Sequence, residues 1–166
     1  PALIQEISRA GHEVACHGMS HRLVYQQSLD EFREETFASK ALLEDLVGRP
    51  VLGYRAASYS ITAASRWALD VLVDAGFSYD SSIFPVHHDT YGMPGSSPHP
   101  GRVKAPTGRE LVEFPLSTVE FAGTRLGDRD LAHQAVTGGV VVARHLHREP
   151  AARGQRGCPG GDEFEM

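Results

Sequence analysis

Two histidines four residues apart, His17 and His21, follow directly on the apolar run Val14-Ala15-Cys16. Gly18 between them lacks a Cβ, so the backbone can turn tightly there. Two neutral imidazoles converging at a strand end are what a first-row divalent ion such as zinc requires. With nine histidines in 166 residues the spacing alone carries little weight. Position adds to it: both residues lie just past the C-terminal end of an expected strand, where parallel α/β sheets and barrels set their sites. The competing reading is a surface histidine beside a strand-end one, with no metal. Two further strand ends carry charge, Arg55 after Val51-Leu52-Gly53-Tyr54 and Asp80 within Phe77–Ser82. A metal would lower the pKa of a bound water to about 7 and polarise a carbonyl. Arg55 would hold a carboxylate base through a bidentate pair, and Asp80 would steady Arg55 or contact substrate. A rim salt bridge for Arg55 and a cap or turn for Asp80 stay open beside these roles.

The elements that must deliver these groups follow from periodicity. Leu3, Ile4, Ile7 and Ala10 recur at helical spacing, giving a helix over about 2–10 that Gly11 ends. A strand over 13–17 comes next. Ser28 with Glu31 three residues on forms a capping box, opening a helix to about Val47, with Leu42, Leu43 and Leu46 on its buried side. Asp30, Glu34, Glu35 and Lys40 read as a solvated face. Ser60 or Thr62 caps a third helix through about Ala75. The order α-β-α-β-α-β with short connections is the signature of parallel α/β units. Residues 83–108, with prolines at 85, 94, 98, 100 and 106, read as a long loop. Leu111–Pro115 and Ser117–Phe121 are two more strands, with Pro115 marking an edge or bend. Beyond Phe121 only Val140–Ala143 reads as a strand, and 122–166 is expected to be a divergent, poorly ordered tail.

Composition bounds the partners. The chain is 41% hydrophobic and 22% charged with a formal charge of −5. That balance argues against duplex DNA or an anionic membrane surface, which need a positive field. No run of about 18 apolar residues offers a membrane span. Cys16 and Cys158 give no disulfide framework and point to a reducing compartment or to no redox role, and a cytoplasmic location is the expectation. Cys16 itself reads as a buried thiol rather than a ligand. Pro1-Ala2-Leu3 resembles the entry of a helix more than the start of a domain.

The residues also carry a resemblance. His17-Gly18-Met19-Ser20-His21 resembles the histidine metal motif of the polysaccharide deacetylases, the NodB-homology group or carbohydrate esterase family 4. Tyr54-Arg55-Ala56-Ala57-Ser58-Tyr59-Ser60-Ile61 is similar to that group's following arginine motif. Tyr79-Asp80-Ser81-Ser82-Ile83-Phe84-Pro85 and His88-Asp89-Thr90-Tyr91-Gly92 are similar to the deacetylases of exosortase-linked exopolysaccharide loci. The resemblance covers about residues 1–121. It implies an α/β fold, a partial distorted (β/α) barrel, with zinc or another divalent metal removing N-acetyl groups from a polysaccharide. By the same resemblance His17 and His21 are metal ligands and Arg55 orients the catalytic base. An N–H near Ser58 stabilises the oxyanion, and Asp80, His88 and Asp89 lie near substrate.

The sequence also departs from that family. Its first motif, an aspartate pair supplying base and third ligand, is expected upstream of Pro1. Ala57 stands where the arginine motif has proline. Leu131-Ala132-His133 mimics the late acid-histidine motif inside a segment that has lost the resemblance, as a shifted reading frame would. Two other readings are a non-catalytic carbohydrate-binding remnant, stacking sugars on Tyr59, Phe84 and Tyr91, and a metallohydrolase acting on a small amide.

Overall fold

The computed structural model describes residues 1–88, 90–121, 124–127 and 140–143. Four short strands run parallel and side by side: β1 (Glu13–Cys16), β2 (Gly53–Tyr54), β3 (Tyr79–Asp80) and β5 (Glu110–Glu113). Antiparallel strands flank them, β4 (Gly101–Lys104) beside β5 and β8 (Val140–Ala143) beside β1, giving the order β4-β5-β3-β2-β1-β8. β6 (Thr118–Phe121) and β7 (Thr124–Gly127) form a separate antiparallel pair. The expected α/β architecture is present. The sheet is shorter and more mixed than the sequence implies. Strands expected over 51–55 and 77–82 reduce to two residues each, because their flanks turn to present side chains. β4 lies inside the segment expected to be loop, held by full pairing along β5 despite three mostly exposed positions. β7 was not expected, whereas Val140–Ala143 is a strand as read. The remainder of 122–166, with His133, His145, His147 and Cys158, lies outside the described residues.

α1 (Ala2–Arg9) and α2 (Leu29–Val47) pack against each other and against β1; α2 also touches α3 (Ala68–Asp74). The Ser28–Glu31 capping box forms, with the Glu31 carboxylate accepting from Ser28 N–H at 2.8 Å, and Gly48 closes the helix in the left-handed region. The buried stripe of α2 is Phe32, Thr36, Ser39 and Leu43, at spacings of three and four. Leu42 instead faces water, 49% exposed, since the stripe passes through Leu43. Leu3 is likewise exposed at 67%, leaving Ile4 and Ile7 to face the core. The third helix is broken: Thr62 and Ser65 cap one another in a single 3-10 turn over Ala63–Ser65, and α3 starts only at Ala68.

The core centres on Phe32, which meets Tyr54 and Trp67 edge-on at 6.0 and 5.6 Å, while Tyr54 leans on Phe77 at 5.4 Å. Burying one such ring contributes about 1.5–3 kcal/mol. β2 and β3 approach closely because Gly53 sits opposite Tyr79. A Cβ on Gly53 would fall 2.2 Å from the Tyr79 ring. Gly53→Ala is therefore expected to cost about 1–3 kcal/mol of unfolding free energy through overpacking. Urea denaturation measures it; an unchanged midpoint would mean that the two strands pack more loosely than described.

Candidate functional site

His17 leaves β1 as a buried side chain, 2% exposed, and its Nδ1 lies 2.6 Å from the Arg55 carbonyl. A carbonyl only accepts, so Nδ1 carries the proton and Nε2 keeps its lone pair. That Nε2 is buried and has no hydrogen-bond partner among the described residues. Burial lowers the imidazole to about pKa 4, against the raising effect of the carbonyl bond, so the ring is neutral at pH 7. His21, exposed and in the left-handed region at φ 57°, brings its ring to 5.1 Å from that of His17. The structure thus assembles the pair singled out in the sequence.

Glu35, expected on a solvated face, is what holds the loop between them. One carboxylate oxygen accepts from Met19 N–H at 2.8 Å and Ser20 N–H at 3.0 Å, and the other from Ser20 Oγ at 2.5 Å. Burial pushes this carboxyl up, but the three donors outweigh it and hold the pKa below the ordinary glutamate range. Gly18 completes the fit: its φ is +77°, and a Cβ there would sit 3.0 Å from Glu35 Oε1. No pattern in the helix sequence distinguishes Glu35 from its exposed neighbour Glu34. Lys40, also expected to be solvated, pairs with Glu44.

Arg55 arrives at the end of β2, half-buried. Its Nε donates to the Ser81 carbonyl at 3.0 Å and one terminal nitrogen donates to Ser81 Oγ at 2.6 Å. Its guanidinium carbon lies 5.9 Å above the Tyr59 ring. Among the described residues no carboxylate pairs with it, so neither a rim salt bridge nor a brace from Asp80 is formed. The turn after Arg55 places Ser58 and Tyr59 consecutively at φ 48° and 53°, a conformation costing about 1–2 kcal/mol per non-glycine residue. The surroundings impose it. Ser82 Oγ accepts from Ala56 N–H at 2.8 Å, and Ser60 Oγ ties Ala57 to Val24. Ser58 is left exposed at the apex.

Asp80 is sealed from solvent at 0% exposure, so in this structure it meets neither Arg55 nor substrate. Its Oδ1 accepts from Ser82 Oγ at 2.5 Å. Its Oδ2 and the Oε2 of Glu113, the residue one strand over in register, are both buried with no hydrogen-bond partner among the described residues. Burial raises both carboxyls, Asp80 to about 6 and Glu113 to about 10, and the Asp80 charge adds to the rise at Glu113. Raised together, the two carboxyls favour one proton held between them over two buried charges. Asp80-Ser81-Ser82 thus acts as a bracket: Ser81 fixes the guanidinium, and Asp80 through Ser82 fixes the turn at Ala56. The serines were not singled out in the sequence as positioning groups.

His88 is exposed and stacked on Tyr91, rings 3.7 Å apart and nearly parallel. Thr90 N–H reaches His88 Nδ1 at 3.2 Å. Tyr91 in turn stacks on buried Phe84 at 5.7 Å, and Tyr59 meets both edge-on. An aromatic wall therefore starts beside Arg55 and ends at His88. Phe84 backs this wall and offers no face of its own to a ligand. Asp89 lies outside the described residues.

Two outcomes follow from this geometry. Glu35→Ala should speed amide hydrogen exchange at Met19 and Ser20 by tenfold or more while leaving β1 amides protected; unchanged exchange would show that the loop stands without Glu35. Glu113 has a raised folded-state pKa, so its contribution is full below the unfolded value of 4.5 and fades as pH climbs toward about 10. Glu113→Gln, which keeps an acceptor for Ile83 N–H, should raise the melting temperature at pH 8 and change it little at pH 4.5. An equal shift at both pH values would rule out the shared proton.

Comparison with known proteins agrees with this geometry. Residues 1–79 match the polysaccharide deacetylase family, and residues 81–139 match a domain of unknown function, DUF3473. A peptidoglycan deacetylase of Helicobacter pylori is 31% identical over 80 residues, 48% of this chain and 26% of that protein. A crystal structure of a candidate polysaccharide deacetylase from Mycobacterium smegmatis superposes with a TM-score of 0.57 at 31% identity, covering 70% of this chain and 36% of that one. The Puue allantoinase shares the fold at a TM-score of 0.53 and 20% identity, over 70% of this chain and 34% of its own. The chain thus spans about a quarter to a third of the relatives it matches. Residues 1–79 are thus similar to the polysaccharide deacetylases in sequence, and the described fold is one that such proteins share.

Proposed function

We propose that the chain belongs to a divalent-metal-dependent hydrolase that removes N-acetyl groups from a polysaccharide. The observation that carries this reading is the Nε2 lone pair of His17, buried, unpartnered and aligned by the Arg55 carbonyl, with His21 beside it. A metal-bound histidine is commonly held through its other ring nitrogen in this way. Among the described residues no third side chain joins the two imidazoles in a metal-binding group. They fit half of a tetrahedral zinc shell. When bound, the ion supplies Lewis acidity and a water of lowered pKa.

The remaining groups have defined tasks in this reading. The Arg55 guanidinium, held by Ser81 and free of any acidic partner among the described residues, receives and orients the carboxylate of the base. The backbone around Ser58, held at the apex of a strained turn, offers an N–H to the acetyl oxygen as it gains charge. Strain kept in place by surrounding bonds is a form of preorganisation. The exposed His88 ring, at the end of the aromatic wall that starts beside Arg55, gives a sugar ring a flat surface. The resemblance of Tyr79–Pro85 and His88–Gly92 favours an exopolysaccharide as the polymer.

Zinc calorimetry on the chain tests the assignment. Zinc should bind, and His21→Ala should weaken it by at least tenfold, in the range typical for losing metal-site groups. Acetate release from an N-acetylated chitooligosaccharide should depend on the metal and fall with Arg55→Ala. With two imidazoles as the described donor set, the rate of this chain should be low. Oligosaccharide binding indifferent to zinc and to His21→Ala would refute the hydrolase and leave a carbohydrate-binding domain.

A further inference from the structure

A second cleft of about 270 Å³ opens beside edge strand β4, between it and the 93–99 loop. Arg66, Arg102, Lys104 and His99 line it, with Met93 on an apolar wall and Glu113 among the lining groups. None of the site residues His17, His21, Arg55 or Ser58 takes part. The chain as a whole is acidic, at −5, so three cations around one cleft are a local reversal of sign. Little offsets them. Arg102 approaches Glu110 only at 3.7 Å, with its side chain 70% exposed. Arg66 donates to the Lys104 carbonyl at 2.6 Å, while its Nε is buried and without a partner among the described residues. Lys104 forms no ion pair among the described residues. The one carboxyl in the lining, Glu113, is buried at 6% exposure and accepts from Ile83 N–H at 2.9 Å.

The sheet sets where this cleft lies. Gly101 pairs with Glu113, which ends β5 at the edge past which His17 leaves β1, while Arg102 and Lys104 lie opposite Val112 and Glu110, farther from that edge. Three strand steps separate β1 from β5, about 15 Å at the usual strand spacing. A small amide would not bridge that distance, whereas an extended oligosaccharide would. The apolar wall suits the face of a sugar ring, and the cations suit a carboxylate on it. Charge confined to one cleft of an acidic chain does not suit a nucleic acid, which needs a continuous positive track.

We infer that the cleft lined by Arg66, Arg102 and Lys104 binds an acidic sugar residue of the polysaccharide, several units from the acetyl group to be removed. The inference rests on the polysaccharide reading above and sharpens it to an acidic polymer. Calorimetry compares a hyaluronan tetrasaccharide, alternating glucuronate with N-acetylglucosamine, against the neutral N-acetylated chitotetraose. The acidic sugar should bind roughly tenfold tighter at low salt, and the preference should shrink several-fold near 0.3 M salt, as expected for exposed charges. The double variant Arg102→Ala/Lys104→Ala, both on an exposed edge strand, should melt like the parent and lose the preference. Arg9→Ala, on α1, should keep it. His21→Ala should also keep it, so a failure of the metal site leaves this test standing. Equal affinity for the two tetrasaccharides, or a preference that survives the double variant, would overturn the inference. So would inorganic phosphate binding the cleft as tightly as the acidic tetrasaccharide, which would make it a site for free anions.

Discussion

One hydrogen bond, from His17 Nδ1 to the Arg55 carbonyl, governs the arrangement of this domain's upper edge. It joins the exits of two neighbouring parallel strands just beyond their last paired residues, Cys16 and Tyr54. The Arg55 N–H returns the link to the Cys16 carbonyl at 2.9 Å. The ring can satisfy the carbonyl only as the Nδ1 tautomer, and that choice leaves a buried lone pair at Nε2. Leaving such an atom unpartnered costs about 1–3 kcal/mol. A second imidazole, that of His21, lies beside it with the ring centres 5.1 Å apart.

Around this bond the domain spends stability in several places at once. Ser58 and Tyr59 are held in left-handed backbone, His21 likewise, and two carboxyls are buried against each other. The supports come from two places: Glu35 of α2 holds the histidine loop, and after β3 Ser82 holds the turn and Ser81 the guanidinium. Asp80 connects the last two, since its carboxylate fixes Ser82 while its strand delivers both serines. A rigid sheet with its apolar core beneath allows these loops to be over-determined, and over-determined loops keep their side chains in place without help from a ligand.

The sequence made part of this legible for physical reasons that can be stated. The capping box at Ser28, the glycine stop at Gly48 and the apolar run at Val14–Cys16 are local signals, and each element appeared where read. The His17–His21 pair was legible because a four-residue spacing across a glycine turn has few geometries. Leu42 misled because three leucines within five residues satisfy more than one helical stripe, and Phe32 with Thr36 and Ser39 decides which one is buried. Glu35, Ser81 and Ser82 were invisible for a different reason: their partners are backbone groups and a hydroxyl from distant segments. β4 was hidden as well, since Gly-Arg-Val-Lys has no apolar alternation and exists as a strand only through β5. Asp80 was noticed, but its burial depends on Glu113, 33 residues away in the chain.

The state of the His17 ring is the most direct test of this account. Nitrogen-15 NMR of the metal-free chain, correlating ring carbons with both ring nitrogens, reads tautomer and charge together. At pH 6.5 His17 should be a neutral ring protonated at Nδ1, and adding zinc should shift its Nε2 resonance while the Nδ1 proton stays in place. A His17 ring protonated at Nε2, or one whose Nε2 ignores zinc, would contradict the account at its root.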